Sequence, residues 1–287
     1  MNEELFWAYC DQFYGYGNWN APIWFIGIEE GGVTTRDQAQ ARMEAWNDTG
    51  RGHLKDLPAQ CAAIQALEQE QPLRWFRQGA GPQPTWKQLI RLLLQAQGGL
   101  RADPAEQEQQ ILNFQQNQWG RTTGGVCDLS LFPLPCNGTR DFNRIYGQGE
   151  VQQPWLNLVC LQNRNRYQNA FVDRRTAFLQ QRWAIAQPTL RLVVIYAWSQ
   201  RQLFERLIGG NPENIDMGDP WQDDWQTIPH FEPIGGVRPR VLVIRHPTPH
   251  NIPVQILANF NGNWNAALAS YFQSVGTLIR DSNWLAA

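Results

Sequence analysis

Residues Leu190–Trp198, LRLVVIYAW, form a nearly continuous apolar run that is rich in β-branched and aromatic side chains. Residues Arg240–His246, RVLVIRH, have the same character. Strands with apolar residues at successive positions are covered on both faces, which is typical of parallel sheets flanked by helices. The two stretches therefore predict inner strands of an α/β protein.

The rest of the chain alternates between strand-like and helix-like segments. Ile23–Ile28 and Gly125–Phe132 are short apolar segments that predict two more buried strands. The segments with helical periodicity are Arg36–Trp46, Leu57–Glu70, Thr85–Gln97, Pro104–Trp119, Ala170–Ala186, Ser199–Ile208 and Asn263–Val275. Because alternating strands and helices build parallel sheets between helices, we predict a three-layer αβα sandwich around a central four-stranded parallel sheet.

The length of 287 residues suits one α/β domain with insertions. We expect a single domain over residues 1–287, with insertions near 36–120 and 211–239. The N-terminal sequence MNEELFWAYC lacks the basic-then-apolar order of a signal peptide, and no apolar run approaches the roughly 20 residues that span a bilayer. We therefore expect a cytoplasmic protein that has no membrane partner and no obligate protein partner.

The charge and cysteine content narrow the possible functions. The formal net charge is −2, whereas proteins that coat nucleic acid without sequence preference are normally basic. A local basic surface remains compatible with this charge. The cysteines are odd in number and form no C-x-x-C pair; they are Cys10, Cys61, Cys127, Cys136 and Cys160. This pattern fits neither a disulfide framework nor a zinc or iron–sulfur site, so we expect reduced thiols and no cofactor.

Chemically useful side chains stand at or near the ends of three predicted strands. Glu29 and Glu30 follow the first strand, Asp128 lies in the second, and His246 ends the fourth. Ligands of open parallel sheets bind beyond the carboxyl ends of the strands. Each residue has a structural interpretation when taken alone, but a carboxylate in an apolar strand is costly unless it is paired or used. Their joint placement indicates one functional cleft.

Three motifs in this order resemble those of the uracil-DNA glycosylase superfamily. GIEEG at Gly27–Gly31 is similar to the GINPG motif of the mismatch-specific branch, and it places Glu29 where that motif has its catalytic residue. HPTP, which begins at His246, resembles the HPSP motif, and Asp128 falls where a base-reading asparagine stands. The resemblance implies a distant member of the superfamily that acts on DNA. The cysteine pattern implies a branch without an iron–sulfur cluster.

The chain also departs from the family pattern at two positions. Glu30 replaces the proline of the first motif, which adds a second acid and leaves the backbone less constrained. His250 stands where the family has its duplex-wedging leucine. Both departures leave open how closely the chemistry of this chain follows that of the family.

The resemblance implies hydrolysis of an N-glycosidic bond. This reaction develops positive charge on the sugar and negative charge on the departing base, so a carboxylate and a hydrogen-bond donor are needed. We assign the first role to Glu29 or Glu30 and the second to His246. The further residues expected to bind the flipped-out base are Gly27, Gly31, Asp128, Thr248, His250 and Asn251, with Phe132 or Trp46 as a stacking platform. The arginines expected to contact DNA phosphates include Arg164, Arg166 and Arg245, with Arg174 and Arg175 as further candidates.

Asp128 suggests a particular substrate. Asparagine can donate to and accept from uracil, whereas an ionised carboxylate only accepts and pairs well with the exocyclic amine of cytosine. We therefore predict a modified cytosine as the substrate in preference to uracil, in DNA repair or in defence against phages with modified DNA. The cellular location would then be a prokaryotic or phage-associated nucleoid.

Two other interpretations remain open. In the first, the protein keeps the fold but has lost the catalytic activity, and it binds nucleic acid or another protein. The net charge and the loss of the motif proline favour this interpretation. The other is an unrelated α/β hydrolase of nucleotides or glycosides that uses Glu29 and Glu30 as a carboxylate pair. Adjacent loop residues rarely hold the separation that such a pair needs. The absence of a G-x-S-x-G motif argues against a hydrolase with a serine nucleophile.

Overall fold

A computed structural model describes residues 2–68, 75–77, 79–136, 139–147, 158–197, 202–208, 230–231, 240–244, 246, 260, 263–281, 283 and 285. The strands are β1 (Gly15–Tyr16), β2 (Ile23–Glu29), β3 (Leu54–Lys55), β4 (Val126–Phe132), β5 (Leu192–Ile195), β6 (His230–Phe231) and β7 (Arg240–Val243). These strands form one sheet in the order β3-β1-β4-β2-β5-β7-β6.

The sheet is mixed. β2 runs parallel to both of its neighbours, β4 and β5, and β7 runs parallel to β5. At the margins, β1 is antiparallel to β4 and β6 is antiparallel to β7, while β3 is parallel to β1. The predicted α/β class is confirmed, but the sheet is wider than expected. The three additional strands have two residues each, which is too short to leave a periodic pattern in the sequence.

The helices pack in two groups. They are α1 (Glu3–Gln12), α2 (Arg36–Asp48), α3 (Leu57–Glu68), α4 (Pro84–Ala96), α5 (Pro104–Asn117), α6 (Thr139–Ile145), α7 (Arg164–Ala186), α8 (Gln202–Ile208) and α9 (Trp264–Asp281). Contacts link α1, α2, α3, α6, α7 and α8 into one group, and α4 contacts α5 and α9 in the other. No helix among the described residues is long and apolar enough to cross a membrane.

Some helix boundaries differ from the sequence-based expectation. α7 begins at Arg164 rather than at Ala170, because the side chain of Asn163 accepts a hydrogen bond of 2.9 Å from the backbone N–H of Arg166 and caps the first turn. α1 and α6 are helices that were not expected from the sequence. Asn2 caps α1 in the same way through the backbone N–H of Glu4.

A fully buried arginine on α7 joins α1 to the sheet. The Arg175 guanidinium donates to the carbonyl oxygens of Cys10 and Phe13 at the end of α1, over 2.7 and 2.8 Å. It also donates to the carbonyls of Ser130 and Leu131 in β4. The last carbonyls of a helix have no partner within the helix and carry partial negative charge, so a cation satisfies them. Arg175 is therefore a structural residue, and the suggested phosphate contact is wrong.

Candidate functional site

The chain order of the strands creates a switch point between β2 and β5. From β2 the chain crosses to β4 on one side and then to β5 and β7 on the other. Ligands of open α/β sheets bind beyond the carboxyl ends of the strands at such a point. Glu29 ends β2, Glu30 follows it, and His246 lies beyond β7. Asp128 lies within β4 beside Phe25 of β2.

Asp128 is buried between two hydrogen-bond donors. Its carboxyl group is reached by the indole Nε1 of Trp119 over 3.1 Å and by the hydroxyl of Tyr196 over 3.2 Å, one on each oxygen. The residue is only 7% exposed. Burial raises the pKa of Asp128 to about 7, although the two hydrogen bonds act in the opposite direction. At neutral pH this carboxyl group therefore exists in both its ionised and its protonated form.

Tyr196 lies between Asp128 and His246: its hydroxyl donates to Asp128, and its ring is near the His246 ring. A Cβ atom on Gly27 would come within 2.7 Å of the Tyr196 ring and hydroxyl, so the glycine permits the tyrosine to lie against β2. The ring centroids of Tyr196 and His246 are 5.7 Å apart. Burial lowers the pKa of His246 to about 4, so the imidazole is neutral at physiological pH. Tyr196 was not among the residues expected from the sequence, because only the fold brings it to Asp128.

Glu30 belongs to the same cluster. One carboxylate oxygen, Oε1, binds Arg42 Nη1 over 2.6 Å and accepts from the Tyr16 hydroxyl over 2.9 Å. Burial has the largest single effect on Arg42 and lowers its pKa, but Glu30, Tyr16, Tyr9 and Cys61 together outweigh it and raise that pKa. The charge of Glu30 also contributes to the raised pKa values of Asp128 and Tyr196, after the larger effect of burial. The Glu30 charge therefore influences both groups electrostatically.

Glu29 is held by a different set of partners. The Arg164 guanidinium binds it through Nε and Nη2, with contacts of 2.9 to 3.1 Å. Gln168 donates to Oε1 over 3.2 Å, and the Cys136 thiol donates to Oε2 over 2.9 Å. The Glu29 side chain is only 3% exposed. Every oxygen of this carboxylate is thus engaged by side chains of the protein.

The two adjacent glutamates face separate parts of the fold. Glu29 binds residues of α7, whereas Glu30 binds α2 and β1. This separation argues against a carboxylate pair of the kind that glycoside hydrolysis needs. Of the two acids, Glu30 has the more exposed side chain, 23% against 3% for Glu29, and its charge contributes to the raised pKa values of Asp128 and Tyr196. It is the better placed to act on a ligand.

Two residues suggested as stacking platforms do not fit that role. Trp46 is fully buried on α2, donates through Nε1 to the carbonyl of Gly52 over 2.8 Å, and packs edge-on against Tyr9. Phe132 is also fully buried and packs against Tyr167 of α7. Neither ring offers a face to a ligand. Tyr196, Trp119 and Tyr16 are the aromatic side chains that bond the acids of the site.

The remaining candidate residues divide into three sets. Gly31 is exposed just beyond Glu30. Arg164, suggested as a phosphate contact, has its guanidinium in the ion pair with Glu29, and Arg166 is exposed and bonds Gln162. The residues that lie outside the described part of the chain are Arg245, Thr248, His250 and Asn251.

Two surface depressions on the described residues lie away from the cluster around Asp128. One, of about 490 Å³, is lined by the first turns of α2, including Thr35 and Glu44. Another, of about 550 Å³, lies between the loop 79–82 and α5. Neither includes a residue of the cluster around Asp128. Among the described residues, no three His, Cys, Asp or Glu side chains are grouped so that they could hold a metal ion.

The raised pKa of Asp128 predicts a pH-dependent stability. The pKa of Asp128 is near 3.8 in the unfolded chain and about 7 in the folded protein, so the fold favours the protonated form. Its stabilising contribution is complete below pH 3.8 and is lost as the pH rises through about 7. Asp128→Asn removes the titration and keeps both contacts, so its stability relative to wild type should rise by roughly 4 kcal/mol between pH 4 and pH 7. Urea unfolding at several pH values measures this difference. If the stability difference between Asp128→Asn and wild type does not vary with pH, the raised pKa of Asp128 is wrong.

Comparison with known proteins gives no match to this chain. No protein-family model, curated protein or solved structure matches it. The resemblance to the uracil-DNA glycosylase superfamily rests on the motifs at Gly27–Gly31, Asp128 and His246.

Proposed function

We propose that this protein is a DNA glycosylase that hydrolyses the N-glycosidic bond of a flipped-out base. One observation carries the proposal: Glu30, Asp128, Tyr196 and His246 form one cluster at the switch point of the sheet. The cluster combines a carboxylate, a neutral imidazole and an aromatic ring. These are the groups that stabilise a sugar cation, a departing base and a stacked base.

Glu30 and His246 take the two chemical roles. The Glu30 carboxylate stabilises the positive charge that develops on the sugar and positions the water. His246 is neutral because burial lowers its pKa to about 4, and the one N–H of a neutral imidazole can donate a hydrogen bond to the departing base. A neutral imidazole is a suitable donor where the developing negative charge is on a weakly acidic leaving group. Glu29 keeps the loop in place through Arg164 rather than meeting the substrate.

We further propose that the base is a modified cytosine. The ionised form of Asp128 accepts hydrogen bonds only, and each carboxylate oxygen keeps a second lone pair beyond the one that Trp119 or Tyr196 uses. An exocyclic amine suits this acceptor better than the carbonyl of uracil.

The proposal includes the fold and setting that the family resemblance implies. The two helix groups would be the outer layers of a three-layer sandwich around the parallel strands β4, β2, β5 and β7. Arg166 and Arg245 would contact DNA phosphates. The enzyme would act on DNA in the cytoplasm, either in repair or in defence against phages.

A second candidate function is a nucleic-acid-binding module without catalysis. The burial of Glu29 in its ion pair favours it, because this residue occupies the catalytic position of the motif and is closed off. The retention of Asp128 and His246 on either side of Tyr196 opposes it. Base release separates the two candidates.

The substrate proposal is tested with two DNAs that differ in one base. Each carries either 5-hydroxymethylcytosine or uracil at the same position, and released base is measured by mass spectrometry. We expect release from the cytosine-type DNA, and we expect Asp128→Asn to shift the preference toward uracil by at least about tenfold. An unchanged preference in Asp128→Asn would contradict the base-reading role. Loss of release in His246→Ala, with folding intact, is the matching result for the leaving-group role.

A further inference from the structure

A surface of neighbouring arginine and aromatic side chains lies along the middle and end of α7. It consists of Trp7, Trp19, Arg174, Phe178 and Arg182, and we call it the arginine–aromatic surface. The Arg182 guanidinium lies over the rings of Phe178 and Trp19, at 5.0 and 5.6 Å from their centroids. The Arg174 guanidinium lies 5.8 Å from the centroid of the Trp7 ring. Each arginine is thus paired with a tryptophan from outside the helix.

The arginine–aromatic surface is separate from the candidate site. Arg164, at the start of α7, binds Glu29 at the end of β2, whereas Arg182 lies close to the opposite end of α7. At a rise of about 1.5 Å per residue, the two arginines are about 27 Å apart along the helix axis. Trp19 precedes β2, so it lies at the other end of that strand from Glu29. A ligand bound here would not compete with a base at the candidate site.

The positive charges of this surface are available to an anion. Arg182 has no acidic partner among the described residues: its guanidinium contacts aromatic rings, so its N–H donors keep their capacity for hydrogen bonds. Arg174 pairs with Asp11 over 2.8 Å, but the two side chains are 45% and 43% exposed. Because exposed ion pairs contribute little to stability, an anion that binds Arg174 can displace Asp11 at little cost.

The aromatic rings of the surface are held in place but only partly covered. Trp7, Trp19 and Phe178 pack against the core and remain partly exposed. Phe178 also stacks on the buried ring of Tyr14, with centroids 4.4 Å apart and 22° between the ring planes. Proteins that bind unpaired nucleotides combine aromatic side chains, on which bases stack, with arginines that contact the phosphates. The surface contains both kinds of group side by side.

We propose that the arginine–aromatic surface binds a single strand of nucleic acid. Arg174 and Arg182 bind phosphates, and the rings of Trp7 and Trp19 contact unpaired bases. A duplex fits less well, because its bases stack on one another and offer no free face to a side chain. A phosphorylated peptide would engage the arginines alone, so the tests separate charge from stacking. This binding does not depend on the proposed base release.

The contribution of charge is measured with a fluorescent oligothymidylate, which contains no cytosine and is therefore not a substrate of the proposed reaction. Arg182→Gln removes one cation from the surface. We expect its Kd to rise about tenfold at low salt, and the slope of log K against log salt concentration to fall by about 0.7, for one lost phosphate contact.

Arg101→Gln is the matched control. Arg101 is exposed in the loop between α4 and α5, which belong to the other helix group, and the variant loses the same charge. We expect its Kd to stay within about twofold of wild type, because only the overall charge has changed. If both variants weaken binding equally, overall charge explains the result and the proposal is overturned.

The contribution of stacking is measured with an abasic strand of the same length, which keeps the phosphates and lacks the bases. We expect wild type to bind the oligothymidylate at least about tenfold more tightly than the abasic strand, and Trp19→Leu to lose most of this preference. Leucine keeps an apolar side chain against the core, and thermal unfolding verifies that the variant is folded. Equal affinity of wild type for both strands, or an unchanged preference in Trp19→Leu, would overturn the proposal.

Photo-crosslinking locates the bound strand without relying on affinity. A strand that carries 5-iodouracil is irradiated with the protein, and mass spectrometry identifies the attached peptides. We expect attachment to peptides that contain Trp7 or Trp19, whereas attachment confined to residues around Asp128 would overturn the proposal. Failure of the wild type to release any base would instead overturn the proposed glycosylase function and leave this result unchanged, so the two failures are distinct.

Discussion

Replacing Glu30 by glutamine is expected to lower the rate of base release by about 1,000-fold. The amide keeps the shape of the side chain but loses the charge that stabilises the sugar cation and accepts a proton from water. The 2.6 Å contact with Arg42 would also weaken, because it would no longer join opposite charges. Single-turnover release of 5-hydroxymethylcytosine measures the effect without a contribution from product dissociation.

Glu29→Gln is the informative comparison for this variant. Glu29 is engaged by Arg164, Gln168 and Cys136, so the amide leaves a buried guanidinium without its counter-charge. We expect a loss of about 3 kcal/mol in the free energy of unfolding and a rate of base release within about tenfold of wild type per folded molecule. A loss of release as large as that of Glu30→Gln would assign the water to Glu29 instead.

Arg175→Met is expected to cost about 4 kcal/mol or more of stability. It leaves four buried carbonyl oxygens without their donor, at the end of α1 and in β4, and each such acceptor costs about 1–3 kcal/mol. Because domains of this kind are stable by only about 5–15 kcal/mol, the variant should be largely unfolded at moderate temperature. Urea unfolding followed by circular dichroism measures the loss.

The neighbouring Arg174 provides the control. Arg174 lies about half exposed, pairs with Asp11 over 2.8 Å and sits over the ring of Phe171. Exposed pairs of this kind contribute little, so Arg174→Met should cost less than about 1 kcal/mol. Arg175→Lys should fall between the two, since lysine keeps the charge but reaches fewer carbonyls. Equal costs for Arg174→Met and Arg175→Met would show that the buried guanidinium is not the link between α1 and the sheet.

The sequence predicts the inner strands well because their signal is local. Long apolar runs such as Leu190–Trp198 identify β5 directly, and the predicted strand Ile23–Ile28 ends one residue before β2 does. The edge strands escape prediction because two residues carry no period. The start of α7 at Arg164 depends on a cap by Asn163 that outweighs the weak periodicity of its first turns.

Only some residues of the candidate site can be predicted from the sequence. Asp128 is conspicuous as a carboxylate in an apolar strand, and the structure gives it two donors and a raised pKa. Tyr196 and Arg42 are ordinary residues in the sequence. Their roles depend on contacts across the fold: the tyrosine reaches Asp128 over Gly27, and the arginine reaches Glu30 from α2. No spacing rule relates these partners, so only the fold reveals them.

The two glutamates show why a motif alone leaves the chemistry open. In the sequence, Glu29 and Glu30 are equivalent acids after one strand. Successive residues of an extended chain point in opposite directions, so the fold sends them to different helices. Glu29 is the buried half of an ion pair with Arg164, whereas Glu30 binds Arg42 and has the more exposed side chain. The residue at the motif's catalytic position is thus the less accessible of the two acids.

The central claim is hydrolysis of a base from DNA, and a reaction in ¹⁸O-labelled water tests it most directly. Wild-type protein is incubated with DNA containing 5-hydroxymethylcytosine, and both products are weighed by mass spectrometry. The account predicts free base together with an abasic sugar that carries one ¹⁸O atom at its anomeric carbon. Intact DNA that remains bound to the protein would contradict the account and favour a binding module that keeps the fold without the chemistry.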